Sequence, residues 1–317
     1  MDLEELLDDL RRYPGLMRKA AIGDWAHGFT SVIGETVLEQ GPGDDAGALP
    51  IGDGYLLMAG EGLMSSLLDD PWFAGFCAVT VNVNDIYAMG GRPLGLVTMV
   101  FAGGFSMESR EGFIEGMSRA LQHYDVPLLG GHTTPDEGPA VAVSIAGYAE
   151  KLLRGDGARP GDRVMIVIDL EGRAHPPFHA WDTVTEAAGE RTLEKLELLV
   201  ELAGRGLCSA CRDISNPGVL GTLAMMLEAS GAGALLDIDK LPVPGGVELG
   251  WWLKAYPSYG FALAVPRANS AEVAGLFESN GIAWADLGEV TEGSELVVSM
   301  RGATATFLDW RMTPVLH

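Results

Sequence analysis

Lysine is scarce in this chain, with five in 317 residues, and lysine plus arginine number 21 against 44 aspartates and glutamates. The net charge of -23 opposes the phosphate neutralisation on which nucleic-acid and anionic-membrane binding depend, so neither is an expected partner. Cysteine is also sparse. Cys77, Cys208 and Cys211 form an odd set that builds no disulfide framework. Cys208 and Cys211 have the redox or zinc spacing but lack a second pair, which leaves small buried thiols as the reading. No uninterrupted apolar run approaches bilayer length, and the acidic start through Leu7 lacks the basic opening and apolar core of a signal peptide. The expectation is a soluble cytoplasmic protein. The G-x-x-x-x-G-K-[ST] phosphate loop is missing too, so any ATP site needs another architecture.

What is present is 47% hydrophobic content, enough for a large buried core, on a length that favours two domains. Leucines at 3, 6, 7 and 10 predict a helix over residues 3–20. Strands are expected over 32–38 and 55–60, on either side of the turn Gly41-Pro42-Gly43-Asp44-Asp45-Ala46. Pro71 opens a long apolar helix that Gly90, Gly91 and Pro93 end. A strand over 94–102, a helix over 107–124, a short strand over 126–129 and a strand over 140–147 complete the first half. The turn formers of 155–161 place a domain boundary there, giving domains 1–154 and 155–317. The second half reads as a strand at 163–169, a loop at 171–184 and a helix over 185–204. Asp213 then lies on a loop, followed by a helix over 217–230, strands near 233–238, 260–265, 284–290 and 295–300, and a helix over 268–280. Two mixed α+β or α/β domains follow, without the alternation of a barrel enzyme.

Several polar groups stand in apolar surroundings. Gly41 to Ala46 matches G-x-G-x-x-A, but Gly47, Pro50 and Gly52 follow where a dinucleotide motif needs a helix. Asp44 and Asp45 remain either metal ligands or a solvated turn. Asp85, three residues after Asn82 on one helix face, is a buried acid that needs a metal, a cap or a core hydrogen bond. Gly130 and Gly131 let a phosphate approach backbone N–H groups, and His132 is a phosphate donor, a metal ligand or a polar loop residue. Asp213 precedes a helix whose N-cap is Ser215 or Asn216. His175 and His179 flank two prolines, which forbids helical metal presentation and leaves a substrate-side loop or a surface connection.

Taken in order, Gly43-Asp44-Asp45-Ala46, Asn82 to Gly90, Gly130-Gly131-His132-Thr133 and Asp213-Ile214-Ser215 resemble the signature of the aminoimidazole ribonucleotide (AIR) synthase-like superfamily. That superfamily also contains thiamine-monophosphate kinase, selenophosphate synthetase and a hydrogenase-maturation dehydratase. The resemblance implies a two-domain AIR synthase-like fold, an N-terminal mixed sheet forming a barrel with a dimer partner and a C-terminal α/β domain over the nucleotide cleft. It implies ATP with several Mg²⁺ ions, and phosphoryl transfer to a small-molecule acceptor in a homodimer. Metal roles carry over to Asp45, Asp85 and Asp213, with Asp44 beside them, and nucleotide contacts to Gly130, Gly131, His132, Ser215 and Arg154.

Departures bear on the acceptor. Where the kinase has Thr-Asp, this chain has Ala59-Gly60-Glu61, so Glu61 replaces one metal ligand. Where the kinase has Gly-Gly-Asp and Asp-Ile-Ser-Asp, it has His132 and Asn216. The kinase's substrate-side Gly-Glu-Asp-Tyr-Glu becomes Pro257-Ser258-Tyr259-Gly260-Phe261, which argues against thiamine phosphate. The reactive N-terminal cysteine of selenophosphate synthetase and the cysteine tail of the dehydratase are absent. Segments 63–70, 175–181 and 256–261, with Ser65, His175, His179 and Tyr259, are the expected acceptor side. The resulting expectation is an ATP- and Mg²⁺-dependent phosphotransferase or phosphate-activating enzyme. An AIR synthase-like cyclo-ligase and a non-catalytic nucleotide-binding dimer are the alternatives. All three require Asp45, Asp85 and Asp213 to meet in one cleft.

Overall fold

The computed structural model describes residues 2–22, 43–135 and 137–316. The expected helix over 3–20 is two: α1 (Leu3–Arg11), which buries its four leucines, and the short α2 (Pro14–Met17). Pro14 has no N–H to continue the ladder and its ring clashes with the preceding turn, so α1 stops before it. The strand expected at 32–38 lies outside the described residues.

Strands β1 (Gly47–Ile51), β2 (Gly54–Gly62), β3 (Arg92–Phe101), β4 (Leu128–Thr134) and β5 (Ala140–Ala149) form a sheet in the order β1-β2-β5-β3-β4. β1 follows the acidic turn directly, which agrees with setting aside a dinucleotide helix there. β4 runs further than the expected 126–129, so Gly130, Gly131 and His132 are an extended edge strand rather than a turn; parallel pairing with β3 overrides the weak strand preference of paired glycines.

Two helices cover one face of this sheet. α3 (Pro71–Ala88) starts where Asp70 Oδ1 accepts the Phe73 N–H at 3.1 Å, and Gly90, at φ +76°, lies just past its end. It is apolar nearly all round and is correspondingly buried between the sheet and α4 (Met107–Tyr124). The two helices approach closely at Gly116, where a Cβ would lie 1.9 Å from the Trp72 carbonyl oxygen. The other face of the sheet is open. The pairing register puts Met58, Val97 and Phe101 on that side, away from Leu57, Leu96 and Ile145, and they are 61%, 36% and 37% exposed.

The second half is built on a seven-stranded sheet. Its strands are β6 (Arg163–Ile168), β9 (Ala210–Asp213), β10 (Gly233–Asp237), β12 (Gly260–Val265), β13 (Ala283–Thr291), β14 (Glu295–Met300) and β15 (Ala303–Asp309), in the order β15-β14-β10-β13-β6-β12-β9. The expected loop at 171–184 contains β7 (Arg173–His175) and β8 (Ala180–Asp182), which join β11 (Tyr256–Pro257) in a small sheet. Alternation along β6 sends Met165 and Val167 into one core and Val164, Ile166 and Ile168 into another. The second core includes α1 and α6 (Gly218–Ala229). The first also holds Phe76 and Val83 of α3 with residues of α5 (Gly189–Arg205), so the mixed α+β halves share an apolar seam. Among the described residues no helix is long and apolar enough to cross a membrane.

Candidate functional site

At that seam lies a cavity of about 250 Å³, and it collects Asp44, Asp45, Glu61, Asp85 and Asp213 from one subunit. The turn before β1 supplies the Asp pair, the end of β2 supplies Glu61, the last turn of α3 supplies Asp85, and the end of β9 supplies Asp213. Asp213 is therefore a strand residue, paired with Phe261 of β12, and not on the loop expected for it. The helix after it begins with Pro217 at the N-cap position and no side-chain cap, so neither Ser215 nor Asn216 caps it; both line the cavity.

The two neighbouring carboxylates behave differently. The Asp44 side chain is fully buried, and it accepts the Gly155 N–H at 2.7 Å and the Asp45 N–H at 2.9 Å. It ties the acidic turn to the segment entering the second half. Asp45 accepts the Asp213 N–H at 3.2 Å and lies 3.5 Å from Arg212 Nη1. Arg212, 2% exposed, also donates to the Gly43 carbonyl at 2.5 Å and lies 3.8 Å from Asp44. A side chain at 155 would collide with Asp44 Oδ1 at 2.3 Å and Arg212 Nε at 2.7 Å, which explains the glycine.

Burial dominates the electrostatics. It pushes Asp45 and Asp85 well above the usual carboxylate range, with Asp213 adding repulsion in both cases. Asp213 rises to about 6, mainly through burial, with Lys19 opposing and Glu61 reinforcing the shift. Glu61 is open to the cavity but enclosed by protein, and it too is raised by burial against the pull of Lys19. Among the described residues, Lys19 and Arg212 are the cations lining this space, against five acids. An all-oxygen donor set short of positive charge fits hard divalent cations. No three of the described His, Cys, Asp or Glu side chains close on one point as a ready-made cage. The fit is therefore to Mg²⁺ held by one or two carboxylates, with water and phosphate completing its shell.

The other expected residues are distributed differently. Gly130, Gly131 and His132 lie on β4, outside the cavity, with His132 opposite Met99 on the open sheet face. Arg154 forms a bidentate pair with Asp156 at 2.9 and 3.0 Å. Ser65 lines a separate polar groove with Asp69 and Glu108. His175 stands behind the wall: its ring stacks on Phe73 at 3.6 Å and its Nε2 lies 2.9 Å from Asp70 Oδ2. His179 stacks on Trp251, and Tyr259 is a core residue, 1% exposed, whose hydroxyl donates to the Lys195 carbonyl at 2.9 Å. Their neighbours Tyr256, Pro257 and Ser258 line the cavity instead. All three cysteines are free; Cys211 is the buried thiol expected, whereas Cys77 and Cys208 are half-buried, with desolvation raising Cys208 to about 12. Arg212, Lys19 and Asn84 were not assigned roles from the sequence. Arg212 alone carried a local signal, a single cation between Cys211 and the acid Asp213, whereas Lys19 follows Arg18 and Asn84 follows Asn82 by two.

Known proteins resemble this chain in sequence and in fold. The uncharacterized protein sll0787 of Synechocystis is 38% identical, covering 99% of this chain and 98% of its own. Thiamine-monophosphate kinase of Salmonella typhimurium is 26% identical over 86% of this chain and 91% of its own. The structure of AaThiL complexed with AMPPCP and TMP covers 97% of this chain and 99% of its own at a TM-score of 0.70 and 19% identity, which shows the fold. Models of the N-terminal and C-terminal domains of AIR synthase related protein match residues 43–149 and 159–301, and the chain belongs to that family.

Proposed function

We propose that this chain is an ATP- and Mg²⁺-dependent phosphotransferase or phosphate-activating enzyme acting on a small molecule. One observation carries the reading: acids from four separate segments meet in a single cavity where they outnumber the lining cations among the described residues. Asp45, Glu61, Asp85 and Asp213 are the candidate side chains, one or two to an ion, that would hold Mg²⁺, and the metal would supply charge neutralisation on the nucleotide's phosphates. Asp44 and Arg212 fix the turn that presents Asp45. Ser215 offers a hydroxyl to the nucleotide from the cavity wall. In this division residues 1–154 bring most of the metal ligands and residues 155–317 bring Asp213 and close the cleft.

Isothermal titration with ATP and with its non-hydrolysable analogue tests the reading. Binding should require Mg²⁺, with affinity at least about tenfold weaker in EDTA. Failure of either nucleotide to bind with Mg²⁺ present would sink it. Tight binding without ADP release over any acceptor would favour the non-catalytic dimer, for which the loss of acids at Gly60, His132 and Asn216 is the motive.

The open sheet face supports a homodimer. Met58, Val97 and Phe101 sit on it, with Leu128 and Leu129 exposed at its edge strand, and an apolar face of this kind on a sheet marks a contact surface. A partner placed there is also what Gly130, Gly131 and His132 need in order to reach a nucleotide. Sedimentation equilibrium should show a dimer for the native chain and a monomer for Val97→Asp with unchanged circular dichroism. A monomeric native chain removes this part of the proposal.

A further inference from the structure

Lys19 lines the acid cavity, and its surroundings set it apart from the comparable cations of this chain. With 44 acids against 21 lysines and arginines, a buried cation here readily finds a carboxylate. Arg11, Arg154, Arg163, Lys195, Arg212 and Lys254 are the other described lysines and arginines that are buried or half-buried, and each forms an ion pair. Lys19 is half-buried and forms none among the described residues. Its charge still acts on Glu61, Asp85 and Asp213, which come from β2, α3 and β9. An ammonium within the field of these acids but bonded to none of them is left open to another partner.

The backbone fixes this placement. Leu16 of α2 is buried in the second core, and Gly15 packs so closely that a Cβ there would lie 2.2 Å from the Asn216 carbonyl oxygen. Asn216 itself lines the cavity, so α2 is seated on the cavity wall. The Lys19 N–H donates to the Leu16 carbonyl at 3.0 Å, which ties the next turn to that helix. Arg18 beside it has no acidic partner among the described residues either. Its Nε donates to the Pro14 carbonyl at 3.0 Å, and its Nη1 lies 3.2 Å from Sδ of Met64, a cavity-lining residue. Arg18 therefore adds uncompensated positive charge at the rim, next to Lys19.

From this placement we infer that Lys19 is an oxyanion subsite of the cavity, donating from its ammonium to a phosphoryl oxygen of the bound ligand. The inference rests on the phosphotransferase reading above. That chemistry can come from the terminal phosphate of the nucleotide or from a phosphate carried by the acceptor, and an ammonium, which donates and cannot accept, suits either. A phosphate entering here also meets the field of five acids, so its binding should depend on Mg²⁺. The competing role is a counter-charge that only offsets the negative field of the cavity. The two roles differ in sign. A pure counter-charge competes with the metal, so its removal leaves Mg²⁺-dependent ligands bound as tightly as before or more tightly. A phosphate contact loses affinity when the ammonium is removed.

The test is isothermal titration of the native full chain, Lys19→Met and Lys19→Arg in excess Mg²⁺. The probes are the non-hydrolysable ATP analogue, ADP, and inorganic phosphate added to protein already saturated with the analogue. If the nucleotide is the source, Lys19→Met weakens the analogue about tenfold or more and ADP by less than about twofold. If the acceptor is the source, both nucleotides keep their affinity within about twofold, and inorganic phosphate binds the native chain about tenfold more tightly than the variant. In either arm Lys19→Arg, which keeps the charge, should recover most of the loss. Unchanged or tighter binding of all three probes by Lys19→Met, an equal loss for the analogue and ADP, or a loss that Lys19→Arg shares in full overturns the inference. The native chain separates the two levels: if it binds the analogue, such a result defeats the subsite alone, whereas a native chain that does not bind the analogue defeats the phosphotransferase reading and the subsite with it.

Discussion

Asp213→Asn should be more stable than the native chain in EDTA at neutral pH, by about 2 kcal/mol, and should bind Mg·ATP roughly 100-fold more weakly. The stability gain follows from the sign of the shift. Asp213 has a folded-state value of about 6 against an ordinary 3.8, chiefly because it is buried. An acid whose value is raised by folding binds its proton more tightly in the folded state, so its ionisation destabilises the fold. That cost is absent below the unfolded value, grows as pH rises between the two values, and is fully present above 6. Each unit corresponds to about 1.4 kcal/mol, and partial access of Asp213 to the cavity brings the gain down to about 2. Urea titrations at about pH 7.5 and pH 4 measure it: the gap between variant and native chain should be present at the first and close at the second. If Asp213 holds Mg²⁺ as proposed, the same substitution also removes a ligand, which is the source of the expected loss of binding. A variant less stable than the native chain at neutral pH would show that Asp213 is not an electrostatic liability in the folded protein.

The gain in stability and the loss of binding have one origin. Carboxylates held together without enough counter-charge are a cost that a bound cation relieves, and binding to the folded state alone stabilises it by mass action. This also explains which parts of the site were legible in the sequence. Asp85 stood out because α3 is otherwise almost free of charge, and both helix ends were marked by Pro71 and by Gly90 with Gly91. The acidic turn stood out because two adjacent carboxylates interrupt apolar runs.

What was not legible depends on long-range pairing. β4 contains Gly130 and Gly131, whose local preference is for turns, and only the β3 register makes them a strand. Asp213 looked like a loop residue because its strand is short and its neighbours in space, Phe261 and Asp45, lie far away in the chain. Tyr259 follows Ser258, which lines the cavity, yet its ring packs edge-on against Phe261 and its hydroxyl donates to the Lys195 carbonyl. No local pattern distinguishes the side chain that faces the cavity from the one that faces the core.

Arg212 was the largest omission, and its removal should have the largest effect on folding. Its side chain is 3% exposed and bridges the Gly43 carbonyl, Asp45 at 3.5 Å and Asp44 at 3.8 Å. Arg212→Ala leaves Asp44 and Asp45 enclosed beside Asp213 with one cation fewer, and deleting one partner of a buried charge cluster costs about 3–5 kcal/mol. Arg212→Lys should recover only part of this, since an ammonium on a single stem does not span two carboxylates and a carbonyl as a guanidinium does. The decisive measurement is a double-mutant cycle in EDTA with Asp45→Asn. If Arg212 acts as counter-charge, its loss should hurt less once Asp45 is neutral, with a coupling of about 1–3 kcal/mol. Adding Mg²⁺ to Arg212→Ala should raise its unfolding midpoint, because the metal supplies the missing charge. Additive losses in the cycle would instead make Arg212 a packing residue, filling the space beside Gly155 without balancing the acids.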